Sequence, residues 1–341
     1  MRRGAQHNPD NRFDPQAYVW DADLAPEAAQ TTYIEVHPAS LVNPIDSPDI
    51  PLTYSMNPYA GCEHGCLYCY ARNSHEYWGF SAGLDFETKI LVKRNAPALL
   101  RQTLLNPRWQ VAPIMLAGNT DCYQPAERHY RLTRQLLQVL LEFRHPVGLI
   151  TKNALILRDL DLLKELARYD LVHVYVSITS LREEMRRALE PRTVTAQRRL
   201  EVVRTLRANG IPVGVMAAPM IPGLNDHELL PIMKAAAEAG AQIINYTIVR
   251  LNGAIAEIFE TWLRRYFPDR ADRVLHLIAQ VHDGHLNDSR WHKRLRGEGP
   301  IAQLIAQTFR AGLVKYFEGV PSMPPYNLSL FRRGGQRSLF E

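Results

Sequence analysis

A fold of parallel strand–helix units, in the α/β class, is what this sequence predicts, and three observations carry the prediction. Short apolar runs recur between 113 and 249, and each is followed by a stretch with helical periodicity. The runs are nearly continuous rather than alternating, as strands covered on both faces of a parallel sheet are. Two helical stretches stop at Gly210 and Gly240, where glycine suits a left-handed C-cap.

Taken in order, residues 1–50 are rich in Pro, Asp and Asn and read as an extended arm lying over the body. A strand is expected in the lead-in to a cysteine cluster near 60, and another at "TKILVK" (88–93). Five further strands follow at "PIMLAGN" (113–119), "PVGLITK" (146–152), "LVHVYVSIT" (171–179), "IPVGVMAAPM" (211–220) and "AQIINYTIV" (241–249). Helices between them are expected over 131–143, 157–169, 195–210 and 226–240. Strand then helix, repeated about six times with short turns, reads as β/α units. Such units form an incomplete β/α barrel or an open doubly wound sheet, and spacing alone does not choose. Residues 51–255 make this body, 256–325 a helical and basic extension, and 326–341 a proline-interrupted tail expected to be flexible. No repeat of solenoid length is visible.

The 341 residues are 46% hydrophobic, enough for one large domain or two small ones. A formal charge of +5 permits an anionic partner without requiring one. No run of 18 apolar residues exists to span a membrane, and none follows the basic start "MRRGAQHNPDNRFDP" as a secretory signal needs. A cytoplasmic location is therefore expected, where cysteine clusters mean metal or redox chemistry.

Three of the four cysteines fall in "AGCEHGCLYCYA" (60–71), spaced C-x3-C-x2-C. Three readings are open. The cysteines are small buried hydrophobes, although the flanking Glu63, His64 and Gly65 are not core-like. They belong to a structural zinc site with His64, His75 or Cys122 as fourth ligand, although zinc ligands usually come as two separated pairs. Or they hold an iron–sulfur cluster through three thiolates, Cys62, Cys66 and Cys69. A cubane has four irons, so three thiolates leave one open to a small molecule. Gly61 and Gly65 would ease so tight a loop.

With Tyr68 just before the last cysteine, this stretch resembles the signature of the radical SAM superfamily. The resemblance implies an incomplete (β/α)6 barrel of radical SAM type, with an N-terminal arm, a helical C-terminal extension and the cluster loop after the first strand. It implies a [4Fe-4S] cluster whose open iron is chelated by S-adenosylmethionine, with reductive cleavage to a 5′-deoxyadenosyl radical that abstracts hydrogen from substrate. An external electron donor of flavodoxin or ferredoxin type follows from that chemistry. Ligands in such folds gather at the C-terminal strand ends. The resemblance places Gly118, Asn119, Thr120 and Asp121 at the SAM amino group, in a departure from the usual G-G-E turn. It places Lys152 at the SAM carboxylate, Ser177 and Thr179 at the methionine or ribose, Ala217 and Ala218 near adenine, and Tyr68 beside the cofactor. Each of these is otherwise an ordinary polar strand end or helix cap.

The stretches "NPYAGCEHGCLYCYAR", "ETKILVKRNAP", "GNTDCYQPAE", "LITKN", "VSITS", "LEPRT" and "PVGVMAAPMIPGLND" are similar to the spore photoproduct lyase branch. That branch implies action on damaged or modified DNA, with a cysteine as hydrogen donor. Cys122 is the spare cysteine here. It lies one residue after Asp121, whereas the lyase donor lies slightly before the equivalent acid, so it either faces substrate or packs. Glu190 and Arg192 stand where the branch puts ribose- or substrate-facing charges, and otherwise belong to a solvated helix face. Asp226 and Glu228 are expected at the N-terminus of their own helix.

Two segments bear on partners. "SRWHKRLRG" (289–297) offers Arg290, Trp291, Lys293, Arg294 and Arg296, a composition suited to DNA phosphates and base stacking, or ordinary surface charge. "QRSLF" (336–340) resembles the Q-x-x-L-F peptide that docks bacterial polymerases and repair proteins on the sliding clamp, through Gln336, Leu339 and Phe340. Its alternative is to fold back on the body. Three functions result: a lyase-like radical SAM enzyme acting on nucleic acid, a radical SAM enzyme acting on a peptide or small molecule, or a non-catalytic zinc-stabilised binding module.

Overall fold

The computed structural model describes residues 3–13, 30–50 and 52–333. Its strands are β1 (Thr32–Val36), β2 (Val42–Pro44), β3 (Tyr54–Met56), β4 (Tyr59–Ala60), β5 (Lys89–Lys93), β6 (Ile114–Leu116), β7 (Val147–Thr151), β8 (Val172–Ser177), β9 (Val213–Met220) and β10 (Ile243–Ile248). A seven-stranded sheet runs β10-β9-β8-β7-β6-β3-β2. Every neighbouring pair from β3 to β10 is parallel, and only β2 runs antiparallel, against β3. Six parallel strands with crossover helices form the incomplete barrel. It is not closed, since β3 and β10 do not pair.

Strand parity sets the two faces. Val147, Leu149, Val172, Val174, Val213 and Val215 point outward into one core with Leu136 and Leu140 of helix 132–142, Leu163, Val203, and Ile232. Residues of the opposite parity, Met115, Ile150, Tyr175 and Met216, remain only partly buried and face the lumen.

"TKILVK" is a strand as expected, but it lies outside the barrel. β5 is the centre of a second sheet, parallel to β1 of the arm and antiparallel to β4. The arm thus contributes paired strands to both sheets. Residues 326–333, the described part of the tail expected to be flexible, touch the body at several points. Tyr326 stacks on His173 with ring centroids 3.9 Å apart, and the carbonyl of Pro324 lies 2.8 Å from Nε2 of His173. This segment floors the lumen, and Gly214 leaves it room: a Cβ there would sit 3.1 Å from Met323 Cε and 2.6 Å from Ile243 Cγ2.

The gap between sheet edges is bridged by side chains. Asp49, beyond β2, accepts from Arg294 Nε at 2.5 Å and from the His292 amide at 2.6 Å. The 286–297 segment that carries those partners bonds to the β10 side, through Ile248 N to Leu295 O and Leu251 N to Leu286 O, both 2.9 Å. Among the described residues no helix is long and apolar enough to cross a membrane.

Gly214→Val tests the packed floor. Overpacking against Ile243 and Met323 is expected to lower the free energy of unfolding by about 1–3 kcal/mol, read from urea titration. An unchanged midpoint would mean that the 320–331 segment does not lie there.

Candidate active site

β3 delivers the chain to the sheet's C-terminal edge, and the cysteine loop follows β4. Gly61 and Gly65 take φ of 79° and 68°, the left-handed region that only glycine enters cheaply. The loop is tied down by Cys62 N to Phe86 O (2.8 Å) and Leu67 N to Leu189 O (3.0 Å). Behind it, the buried Arg72 donates to Cys66 O (2.9 Å) and to Glu87 Oε1 (2.5 Å). Glu87 also accepts from the amides of Gly4 and Ala5 at 2.8 and 2.7 Å. The N-terminal segment therefore lies directly on the loop, and a Cβ on Gly4 would come within 1.8 Å of Gly65 O.

Cys62 and Cys66 are buried and Cys69 is half-buried. Burial, then Asp121 and the other two thiols, push the Cys62 thiol well above its ordinary value. Burial and Glu190 push Cys66 up to about 12, against the opposing pull of Lys152. The bare thiols of Cys62 and Cys66 so placed stay protonated at neutral pH. They become thiolates when bound cations supply the missing positive charge, with release of protons. This donor set fits a cluster, in which each thiolate binds a different iron.

It does not fit a single zinc ion. Among the described residues no three His, Cys, Asp or Glu side chains are grouped to hold one metal ion. His64 has Nδ1 3.3 Å from Asp121 Oδ2 and Nε2 3.3 Å from Asn153 Nδ2. His75 is buried beside Phe80 and Phe86, and burial lowers its pKa to about 4. Cys122 is fully buried in the main core, where Thr133 Oγ1 donates to its carbonyl at 2.7 Å. That placement favours packing over hydrogen donation.

Asp121 is engaged at both oxygens. Oδ1 accepts from Tyr123 N (2.9 Å) and Thr151 Oγ1 (2.8 Å), and Oδ2 accepts from Lys152 N (2.8 Å) beside His64. These contacts outweigh burial and lower its pKa to about 2, with His64 the largest lowering influence. The side chain expected at the SAM amino group is thus a bracket joining the cysteine loop to the ends of β6 and β7. The turn before it is held by Asn57, whose Oδ1 accepts from the amides of Asn119 (2.9 Å) and Thr120 (3.2 Å). Gly118 offers its carbonyl to Tyr70.

Glu190 is a second bracket, not part of a solvated helix face. It accepts from the Tyr68 hydroxyl, from Thr179 Oγ1 at 2.7 Å, and from Arg199 Nη2 at 2.5 Å. Arg199, itself 1% exposed, also donates to Ser177 O at 2.9 Å. Burial raises the Glu190 pKa, but Arg199 and Lys152 win and bring it to about 2. Tyr68 and Thr179 are therefore occupied within the chain. Arg192 sits on the cysteine loop, with its amide on His64 O (3.3 Å) and its guanidinium 3.5 Å from Glu63.

On β9, Ala217 is buried, and Ala218 accepts from Thr179 at 3.1 Å. Asn225 braces that end, donating to Thr179 O (2.8 Å) and Pro219 O (3.1 Å). Glu228 does not serve its own helix. It accepts from Ser180 Oγ (2.6 Å) and Leu181 N (2.8 Å), tying down the loop after β8, while Asp226 accepts from Gly223 N at 3.1 Å.

Two polar groups remain uncommitted at this edge. The Lys152 ammonium makes no hydrogen bond or ion pair among the described residues; it lies 5.9 Å from the Tyr68 ring centre, near Cys66 and Glu190, which with Asp121 raise its pKa despite burial. The Ser177 hydroxyl, on the lumen face, likewise has no partner among the described residues.

The basic segment is more neutral than its sequence suggests. Arg290 pairs with Asp288 (2.6 Å), Glu298 (2.9 Å) and Asp283 (3.3 Å), Lys293 with Glu298 (2.6 Å), and Arg294 with Asp49 (2.5 Å). Arg296 donates to Asn245 at 2.6 Å. Gln336, Leu339 and Phe340 lie outside the described residues. Sequence reading missed Asn57, Arg72, Glu87, Arg199 and Asn225. Asn57, Arg72, Glu87 and Asn225 all stand inside the quoted motifs, whereas nothing in the helical pattern of 195–210 marks Arg199 as turned inward.

Residues 56–236 match the Radical SAM superfamily. An uncharacterised protein of Mycobacterium tuberculosis is 36% identical over 291 residues, 84% of this chain and 84% of its own. A radical SAM Nα-GlyT isomerase of Pseudomonas phage M6 is 24% identical, covering 67% of this chain and 46% of that protein. Among solved structures, spore photoproduct lyase with bound AdoMet and dinucleoside spore photoproduct superposes with a TM-score of 0.60 at 15% identity, over 92% of this chain and 88% of that one. At that identity the likeness is one of fold.

Two outcomes are expected of the brackets. Glu190→Ala strands the Arg199 guanidinium and should cost about 3–5 kcal/mol in urea unfolding, part of it restored by adding Arg199→Met. Asp121 and Glu190 titrate at about 2, below their ordinary 3.8 and 4.5. Their stabilisation, each about 2–3 kcal/mol, is complete above the unfolded values and is lost as pH falls toward 2. Urea midpoints should therefore drop through that acid window, and less steeply for Asp121→Asn. A variant with the wild-type pH profile would contradict the bracket.

Proposed function

The chain belongs to the radical SAM superfamily, and we propose that it is an enzyme that holds a [4Fe-4S] cluster through Cys62, Cys66 and Cys69 and cleaves S-adenosylmethionine reductively. The observation that carries this reading is a loop of three neighbouring thiols, bracketed to the strand ends, with the uncommitted ammonium of Lys152 beside it. When bound, cluster and SAM together supply an adenosyl radical able to take a hydrogen atom from substrate. The chain's own residues bind, orient and shield. Lys152 is suited to the SAM carboxylate by a charge-assisted hydrogen bond, and the Ser177 hydroxyl to a polar group deeper in the lumen. Asp121, Glu190, Tyr68 and Thr179 act by holding the loop in place. Arg72, Glu87 and residues 3–5 back it and keep water from that side. The electron comes from an external flavodoxin- or ferredoxin-type donor, in the cytoplasm.

For the substrate we favour damaged or modified nucleic acid. The lyase-like stretches across 54–225, and the likeness in fold to a lyase solved with a dinucleoside spore photoproduct, support this choice. A peptide or small molecule is the second reading, favoured by the neutralised charges of 290–294.

Anaerobic reconstitution tests the first part. Wild type should take up about four irons per chain and release 5′-deoxyadenosine from SAM when reduced. Replacing any one of the three cysteines by alanine should abolish both. Lys152→Ala should keep its iron yet bind SAM about 10- to 100-fold more weakly by equilibrium dialysis. Colourless protein that retains zinc and no iron would sink the enzyme reading in favour of a zinc-stabilised module.

A further inference from the structure

One part of the mouth is not used by the cofactor reading. Tyr70, the residue after Cys69, is 48% exposed, and its hydroxyl reaches across to Gly118 after β6. The guanidinium of Arg250, two residues beyond β10, stands 5.9 Å from the Tyr70 ring centre. Arg250 is half-buried, and its guanidinium makes no ion pair or hydrogen bond among the described residues, although Tyr70 and Asp49 stand near enough to favour its charge. Burial first, and Arg294 next, lower its pKa. A cation kept where burial and a neighbouring cation both oppose it gains from an anion that arrives with the ligand. Arg294 in turn lies 4.1 Å over the ring of Trp291, which is 46% exposed. Tyr70, Arg250, Arg294 and Trp291 thus form one line from the cysteine loop to the bridged gap between β3 and β10.

We propose that this line is a track for single-stranded or unstacked nucleotides, with Arg250 taking a backbone phosphate and the rings of Tyr70 and Trp291 stacking on bases. The inference rests on the nucleic-acid reading and gives it a place on the molecule. Exposed rings alternating with guanidiniums suit a strand whose bases are free to stack. A duplex hides its base faces. An acidic peptide satisfies the guanidiniums but leaves Trp291 without a flat partner. Within the track Arg294, whose charge Asp49 balances, serves to hold the Trp291 ring, and Arg290 and Lys293, balanced by Asp288 and Glu298, lie outside it.

Fluorescence anisotropy of a labelled oligothymidylate of about ten nucleotides, with the iron-loaded full chain under anaerobic conditions, tests this. Binding should weaken with salt. Arg250→Ala should weaken it about tenfold or more and reduce the salt slope by about one. Trp291→Ala should weaken it about tenfold with the salt slope kept. Arg290→Ala should leave it unchanged, and each variant's iron content checks its integrity. If wild type binds and neither Arg250→Ala nor Trp291→Ala matters, the track is wrong while the nucleic-acid reading stands. If wild type binds the matching duplex but no oligothymidylate, the track is likewise wrong; if it binds neither, the nucleic-acid reading itself fails. Equal affinity for the matching duplex, or equal competition by polyglutamate, would overturn base stacking as the recognition mode.

Discussion

Two buried carboxylates hold the cysteine loop against the sheet, and the rest of the site depends on that grip. Asp121 joins His64 of the loop to the end of β7, and Glu190 joins Tyr68 of the loop to Thr179 and to Arg199. The loop contains little regular structure, so nothing in its own backbone would aim three sulfurs inward. A buried ion pair adds little net stability, because desolvation offsets attraction, yet removing one partner is costly. That asymmetry suits a bracket: it contributes modestly to folding and strongly resists being displaced.

The six parallel strands leave the barrel open, and irregular segments do what further strands would do in a closed one. Residues 3–5 press on the back of the cysteine loop through Glu87. The stretch around Tyr326 floors the lumen against His173. Asp49 and Arg294 bridge the two sheet edges. Each closure uses hydrogen bonds, ring stacking or a close backbone approach in place of a ladder, so the lumen is bounded without a further strand.

Much of this was legible in the sequence, and what was missed has a common cause. Apolar runs located five of the six barrel strands and the lead-in to the cysteines marked the first; periodicity found four helices between β6 and β10, because burial of one face dictates it, and missed the short one at Glu183–Leu189. C-x3-C-x2-C marked the loop because tight spacing is local. What a sequence does not reveal is a long-range hydrogen bond between residues whose types look ordinary. Arg199 lies in a charged helix and Glu190 in a loop; only folding brings both beneath Tyr68. Asp121 was noticed for its position at a strand end, but its lone pairs turn out to be taken by neighbours. The charges of 290–294 likewise hide long-range partners, since these include Asp49, more than two hundred residues away.

Under the function proposed above, the lack of a fourth thiol in the loop is its working feature, because three thiolates would leave one iron to be completed by a small molecule. The most direct measurement is a Mössbauer spectrum of protein reconstituted with isotopically enriched iron, before and after SAM is added. The account predicts that one iron of the four changes its signature on adding SAM while three keep theirs. Four irons that all ignore SAM would contradict it.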